Sequence, residues 1–201
     1  MKLNFAGTAV KINVSFAAAV TLTLIVDESG LCALALFCCI IHEAGHIICL
    51  LILGEKPSVI ELSFYGIRLE RSLPERVGSF DEILVLASGP AANLVLSALL
   101  LPFGAHGGGI KTAAAASLCV AAFNLLPCRP LDGGNILRYA LCRFGNEERA
   151  EKICFFISCA VIAPMLAAGL ALLFKNGNFT LAAVSLYLAV ALFLDKREKN
   201  I

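Results

Sequence analysis

The chain has 201 residues, of which 59% are hydrophobic and 15% charged, and its formal net charge is +1. Because soluble proteins carry roughly 25% charged residues, this chain has too little polar surface to cover a soluble globule. The composition also excludes a disordered chain and a disulfide-stapled secreted domain, and the small net charge argues against nucleic acid as a partner. We therefore expect an all-α polytopic membrane protein.

Apolar segments in the sequence predict six transmembrane helices. They cover approximately residues 9–26, 31–53, 82–103, 110–127, 153–174 and 178–194. With the N-terminus inside, fourteen of the sixteen lysine and arginine residues fall in cytoplasmic segments. By the positive-inside rule, this distribution predicts a multi-pass protein of the cell membrane with both termini cytoplasmic.

Three connecting segments have patterns of their own. Residues 57–72 contain a β-rich run that predicts a short membrane-associated β-hairpin, which would serve either as a structural plug or as an edge that captures an extended peptide. Residues 135–150 are typical of an interfacial amphipathic helix. The charged tail Asp195–Lys199 is interpreted as a solvated stop signal.

The second predicted span contains the pattern H-E-x-x-H at residues 42–46. His42 and His46, four residues apart, lie on one helix face and are able to share a metal ion. Glu43 lies about 100° around the helix, since each residue turns the chain by that angle. It would therefore act on a water molecule as a base instead of binding the metal, as in zinc metalloproteases.

Within the predicted spans, Glu43 is the one acidic residue well inside the membrane, which marks a functional site because a buried charge is costly there. A buried structural His–Glu pair is the alternative. A metal site made of both histidines with Cys38 and Cys49 fails on geometry. Eleven residues of helix separate those cysteines by about 16 Å.

A third metal ligand is expected from the segment after the fourth span, where Asp132 is the clear polar candidate. Pro127 and Pro130 would end the span and stiffen the turn. Gly133 and Gly134 are expected to adopt backbone angles that let the chain approach the metal. The second and fourth spans both run from outside to inside, which places Asp132 at a depth similar to that of His46. A plain turn is the alternative for this segment.

Three motifs, in this order along the chain, resemble the site-2 protease family (M50) of intramembrane zinc metalloproteases. They are H-E-x-x-H at 42–46, Ser-Gly-Pro-Ala-Ala-Asn at 88–93 and N-x-x-P-x-x-x-L-D-G-G at 124–134. The resemblance implies one Zn²⁺ per chain, held by His42, His46 and Asp132, with Glu43 as the base. It also implies that Asn124 and Asn93 are polar aids near the scissile carbonyl.

The resemblance further implies a single transmembrane peptidase domain over residues 1–201, with a three-helix catalytic core at about 31–134 and C-terminal helices at about 153–194. Its expected activity is cleavage of a membrane-anchored protein substrate in or near its transmembrane segment, close to the cytoplasmic face. The compact sporulation branch of the family is most similar, although this sequence has no CBS domain. A kinked, tightly packed helix is the alternative for residues 88–93.

Two other functions fit a metal-binding membrane protein. A metal transporter would need several ionisable residues along a path across the bilayer, whereas the sequence places one polar cluster on one side. A catalytically silent metal-binding protein or scaffold would lack a catalytic residue, and none is missing. The sequence therefore favours a metalloprotease over both.

Overall fold

The computed structural model of the protein describes residues 2–5, 8–12, 20–21, 24–25, 27–55, 57–63, 66–71, 80–106 and 108–198. The strands in this part of the chain are β1 (Lys2–Phe5), β2 (Thr8–Ile12), β3 (Pro57–Ser63) and β4 (Gly66–Arg71). The helices are α1 (Leu31–Ile52), α2 (Phe80–Leu100), α3 (Gly108–Asn124), α4 (Asp132–Phe144), α5 (Glu147–Asn176) and α6 (Thr180–Glu198). A 3₁₀ helix, Leu101–His106, follows α2.

The four strands form one sheet in the order β1-β2-β3-β4. β3 and β4 pair antiparallel where residues 57–72 predict a hairpin, and β2 lies parallel to β3 on its other side. β1 pairs antiparallel with β2. The strand pair at 57–72 is therefore one half of a four-stranded sheet. The fold class expected from the sequence, all-α with one short hairpin, does not include the other two strands.

The prediction of a transmembrane helix at 9–26 is wrong at its start, because Thr8–Ile12 form strand β2. Residues 20–21 and 24–25 are helical, and the rest of the segment from 13 to 26 lies outside the described residues. The error has a physical cause. Periodicity alone does not distinguish a buried strand from a helix in an apolar run, and Val10 and Ile12 near the start of this one are β-branched residues, which favour a strand.

Three of the described helices are long and apolar enough to cross a membrane: Leu31–Ile52, Phe80–Gly104 and Glu147–Asn176. A fourth apolar stretch, Thr180–Asp195, is shorter. α3 has 17 residues, somewhat fewer than the about 20 that a straight span needs. The six predicted spans therefore correspond to three clear spans among the described residues, together with these two shorter helices.

The turn before helix α1, which carries the H-E-x-x-H pattern, is held by the side chain of Asp27. The Asp27 carboxylate accepts hydrogen bonds from the Ser29 hydroxyl and from the backbone N–H of Ser29 and Cys32. These hydrogen bonds lower the pKa of Asp27, the bond from the Ser29 hydroxyl most of all. A carboxylate near the first turn also interacts favourably with the helix dipole, so the start of α1 is well defined.

The chain divides into two compact units. The first comprises Met1–Arg76 and Ala87–Ala122. Within it, α1 and α2 approach closely at Gly45, where an added Cβ would lie 2.6 Å from the Ser88 carbonyl oxygen. Helix α3 is tied to α2 by the Ser97 hydroxyl, which donates to the carbonyl of Ala114 at 2.9 Å.

The second unit comprises Val77–Leu86 and Phe123–Ile201. Its core is built by the loop after α3 together with α5 and α6, through the buried side chains of Cys128, Leu131, Ile162, Leu188 and Leu192. Gly169 of α5 leaves room for the backbone of Ala182 of α6, since a Cβ there would lie 2.5 Å from the Ala182 nitrogen. The predicted helix at 135–150 is interrupted at Gly145 and Asn146, which separate α4 from α5.

Candidate metal centre

The two histidines of α1 converge as the i, i+4 spacing predicts. Their Nε2 atoms lie 3.1 Å apart, and the side chains are only 5% and 6% exposed. Two nitrogens on one tetrahedral zinc ion, each about 2.0–2.1 Å from it, would be about 3.4 Å apart. The observed separation is close to that value, so the spacing of the pair suits a shared metal ion.

Gly89 of α2 forms one wall of the histidine pair. A Cβ added at this position would overlap Nε2 and Cε1 of His46 and would lie 2.9 Å from Cε1 of His42. No side chain other than hydrogen fits there without displacing an imidazole. The glycine in the segment 88–93 therefore has a steric role beside the histidines.

Asp132 is the first residue of α4 and is half-buried. The two glycines that follow it are buried, and a Cβ on either would overlap the backbone of the preceding loop, at Leu125 for Gly133 and at Cys128 for Gly134. Neither has a positive φ. The expectation that they supply unusual backbone angles is thus wrong, because what the loop requires is the absence of a side chain.

The structure brings together the ligand atoms of His42, His46 and Asp132, which all lie within 4.8 Å of one another. Two imidazole nitrogens and a carboxylate oxygen are a donor set that zinc takes at catalytic sites with three protein ligands. The side chains are largely buried, so a cation would also offset the cost of burying a carboxylate. The residues present therefore fit a metal ion of this class.

The remaining predicted site residues differ in their surroundings. Glu43 and Asn124 are half-buried. Asn93 is fully buried in α2, and its side-chain oxygen lies 3.2 Å from the Ser117 hydroxyl of α3. Its Nδ2 has no acceptor among the described residues. Since Asn93 lies one turn after Gly89, this amide is placed on the helix face that adjoins the histidines.

Sequence reasoning missed an ion pair that holds the loop before Asp132. Arg129 is 8% exposed, and its Nη2 lies 2.7 Å from Oδ2 of Asp195 at the end of α6. The interpretation of Asp195 as part of a solvated tail is therefore wrong. The two residues are 66 positions apart, so no local pattern could have indicated the pair.

The chain is similar to a known peptidase family and to a solved structure. The model of peptidase family M50 matches residues 108–165. The solved structure of the site-2 protease from Methanocaldococcus jannaschii superposes with a TM-score of 0.70 at 23% identity, covering 96% of this chain and 94% of that one. The fold is thus that of a site-2 protease.

Two curated relatives are named as zinc metalloproteases. Zinc metalloprotease MJ0392 of M. jannaschii is 27% identical over 156 residues, which are 74% of this chain and 44% of the relative. The protein sll0528 of Synechocystis sp. is 32% identical over 130 residues, which are 60% of this chain and 34% of the relative. The chain thus spans less than half the length of either relative. Together the matches show that this chain is similar to the M50 peptidases, the site-2 proteases among them.

Proposed function

We propose that the chain is an intramembrane zinc metalloprotease that cleaves a membrane-anchored protein in or near its transmembrane segment, close to the cytoplasmic face. The observation that carries the proposal is the buried pair of Nε2 atoms 3.1 Å apart, joined by the carboxylate of Asp132 in one compact group. The M50 match and the site-2 protease fold support the reaction class. The positive-inside distribution supports the cytoplasmic side.

His42, His46 and Asp132 would hold the zinc ion. When bound, the ion would polarise a peptide carbonyl and make a water molecule acidic enough to react near neutral pH. Glu43 follows His42 directly, so its carboxylate is on the adjoining side of the helix. It would accept a proton from the attacking water and later donate that proton to the leaving amine.

Asn93 and Asn124 would assist the carbonyl that is attacked. The buried Nδ2 of Asn93 is a hydrogen-bond donor that the described residues leave without an acceptor, which supports a role toward a substrate oxygen. A donor held in place before the reaction stabilises negative charge that develops on that oxygen. For Asn124, the support is the family motif at 124–134 and its position at the end of α3.

The proposal predicts that purified protein contains about one zinc ion per chain, and that His46→Ala and Asp132→Ala each lose most of it. Each substitution removes one of the three protein ligands on which a catalytic zinc depends. The measurement is metal content by mass spectrometry after gel filtration. Cys119→Ala, at an exposed position of α3, is the control and should retain the metal. Full zinc occupancy in both ligand variants would contradict the site.

Among the described residues β4 is an edge strand, and the edge that faces away from β3 is our candidate for the surface that receives the substrate. A transmembrane helix hides its peptide bonds in internal hydrogen bonds, so it must unwind before cleavage. β4 is the last strand in the sheet order, with β3 on one side. An unwound segment could pair with its other side as an added strand.

Proline scanning of β4 distinguishes capture from a structural plug. Successive N–H groups along a strand point to opposite edges, so Arg68→Pro and Leu69→Pro remove one donor toward β3 and one toward the open edge. We expect the variant that loses the edge donor to fold and bind zinc normally but to cleave at least tenfold more slowly. Cleavage of a tagged single-span protein in liposomes is the measurement. Unchanged cleavage in both variants would exclude capture on β4.

A further inference from the structure

The loop that precedes Asp132 makes an ion pair with the last described helix, α6, through Arg129. Its guanidinium donates from both Nε and Nη2 to Oδ2 of Asp195, at 3.2 and 2.7 Å. The Arg129 side chain is 7% exposed, whereas that of Asp195 is 40% exposed. An arginine buried this deeply needs its anionic partner, because an uncompensated charge is costly away from water.

The backbone of Arg129 is held as firmly as its side chain. Its N–H donates to the hydroxyl of Ser158 in α5 at 2.9 Å, and this buried hydroxyl in turn donates to the carbonyl of Cys154 at 2.7 Å. The Arg129 carbonyl accepts from Nδ2 of Asn135 at 3.2 Å, and the same amide nitrogen lies 3.1 Å from the Leu131 carbonyl oxygen. Three helices therefore fix the turn that immediately precedes Asp132.

From this arrangement we infer that Asp195 is a positioning residue for the metal ligand Asp132 and acts on it through Arg129. Only Pro130 and Leu131 separate Arg129 from Asp132, and Leu131 is packed in the core with residues of α5 and α6. A shift of the Arg129 side chain would therefore move the start of α4. The last helix of the chain would thus set the affinity of the metal centre, an inference that rests on the proposed function.

Asp195→Asn tests this inference, because it removes the charge with little change in size. We expect the zinc dissociation constant to rise at least tenfold, measured by competition with a chromophoric chelator, and the increase in Tm caused by zinc to shrink. A purely structural role would lower the Tm of the metal-free and metal-bound forms equally and leave the dissociation constant unchanged. That result would overturn the inference.

Two further variants make the experiment decisive. Glu148→Gln breaks an exposed ion pair of the same 2.7 Å length, to Lys152, and should leave zinc affinity unchanged. Asp195→Glu keeps the charge and should give an intermediate dissociation constant. If Asp195→Asn does not fold, a wild-type constant in Asp195→Glu overturns the inference. If the wild-type chain binds no zinc, the proposed function itself fails, which is a separate outcome.

Discussion

Replacement of Glu43 by glutamine is expected to reduce peptide-bond cleavage by about 10²–10⁴-fold, the usual contribution of a general base. Glutamine has nearly the same shape as glutamate but cannot accept the proton of the attacking water. The zinc content and Tm should stay at their wild-type values, since both imidazoles and the Asp132 carboxylate remain. Two measurements on the same preparation check this expectation. Cleavage of a tagged single-span protein gives the loss of activity, and the metal content shows whether zinc is retained.

The matched control for this variant is Glu28→Gln, which makes the same change at an exposed position just before α1. It should cleave at the wild-type rate. Two results would contradict the assignment in different ways. An unchanged rate in Glu43→Gln means that another group takes the proton, whereas loss of zinc means that Glu43 is a metal ligand and not the base.

The convergence of His42 and His46 could be predicted from the sequence because its pattern is local. Helical periodicity alone places His42 and His46 on one face, and their observed convergence follows directly from the four-residue spacing. Asp132 could be proposed as a long-range partner because polar residues near the predicted spans are scarce and the predicted topology places it at a depth similar to that of His46. In a soluble protein with many surface carboxylates, the same reasoning would not have isolated it.

The rest of the structure depends on interactions that no local pattern encodes. The pairing of β2 with β3 joins strands more than forty residues apart, and the apolar run at 9–26 fits either a strand or a helix when taken alone. The glycine pair 133–134 is visible in the sequence, but its role as space for the preceding loop is not. Likewise, the charge of Asp195 gives no sign that its partner is a buried arginine.

A second large effect is expected from Gly89→Ala, a change of one methyl group outside the proposed ligand set. The added Cβ would overlap the ring of His46 and press on His42, so at least one imidazole must leave its position. Residues that orient metal ligands typically change metal affinity by about 10–100-fold when altered, and we expect a loss of this size here. Zinc affinity measured by chelator competition is the test, with cleavage falling in parallel.

Two glycine variants separate displacement of the imidazole from general damage to the fold. Gly109→Ala adds a methyl group in open space on α3 and should bind zinc like the wild type. Gly45→Ala presses on the Ser88 carbonyl oxygen and on Ala92, so it pushes α1 and α2 apart without a direct overlap with either imidazole. If Gly89 acts as the wall of the metal centre, Gly89→Ala must weaken zinc binding more than Gly45→Ala does, even when the two substitutions lower the Tm by the same amount. Wild-type affinity in Gly89→Ala would show that the histidines tolerate a side chain there, and the steric argument would then be wrong.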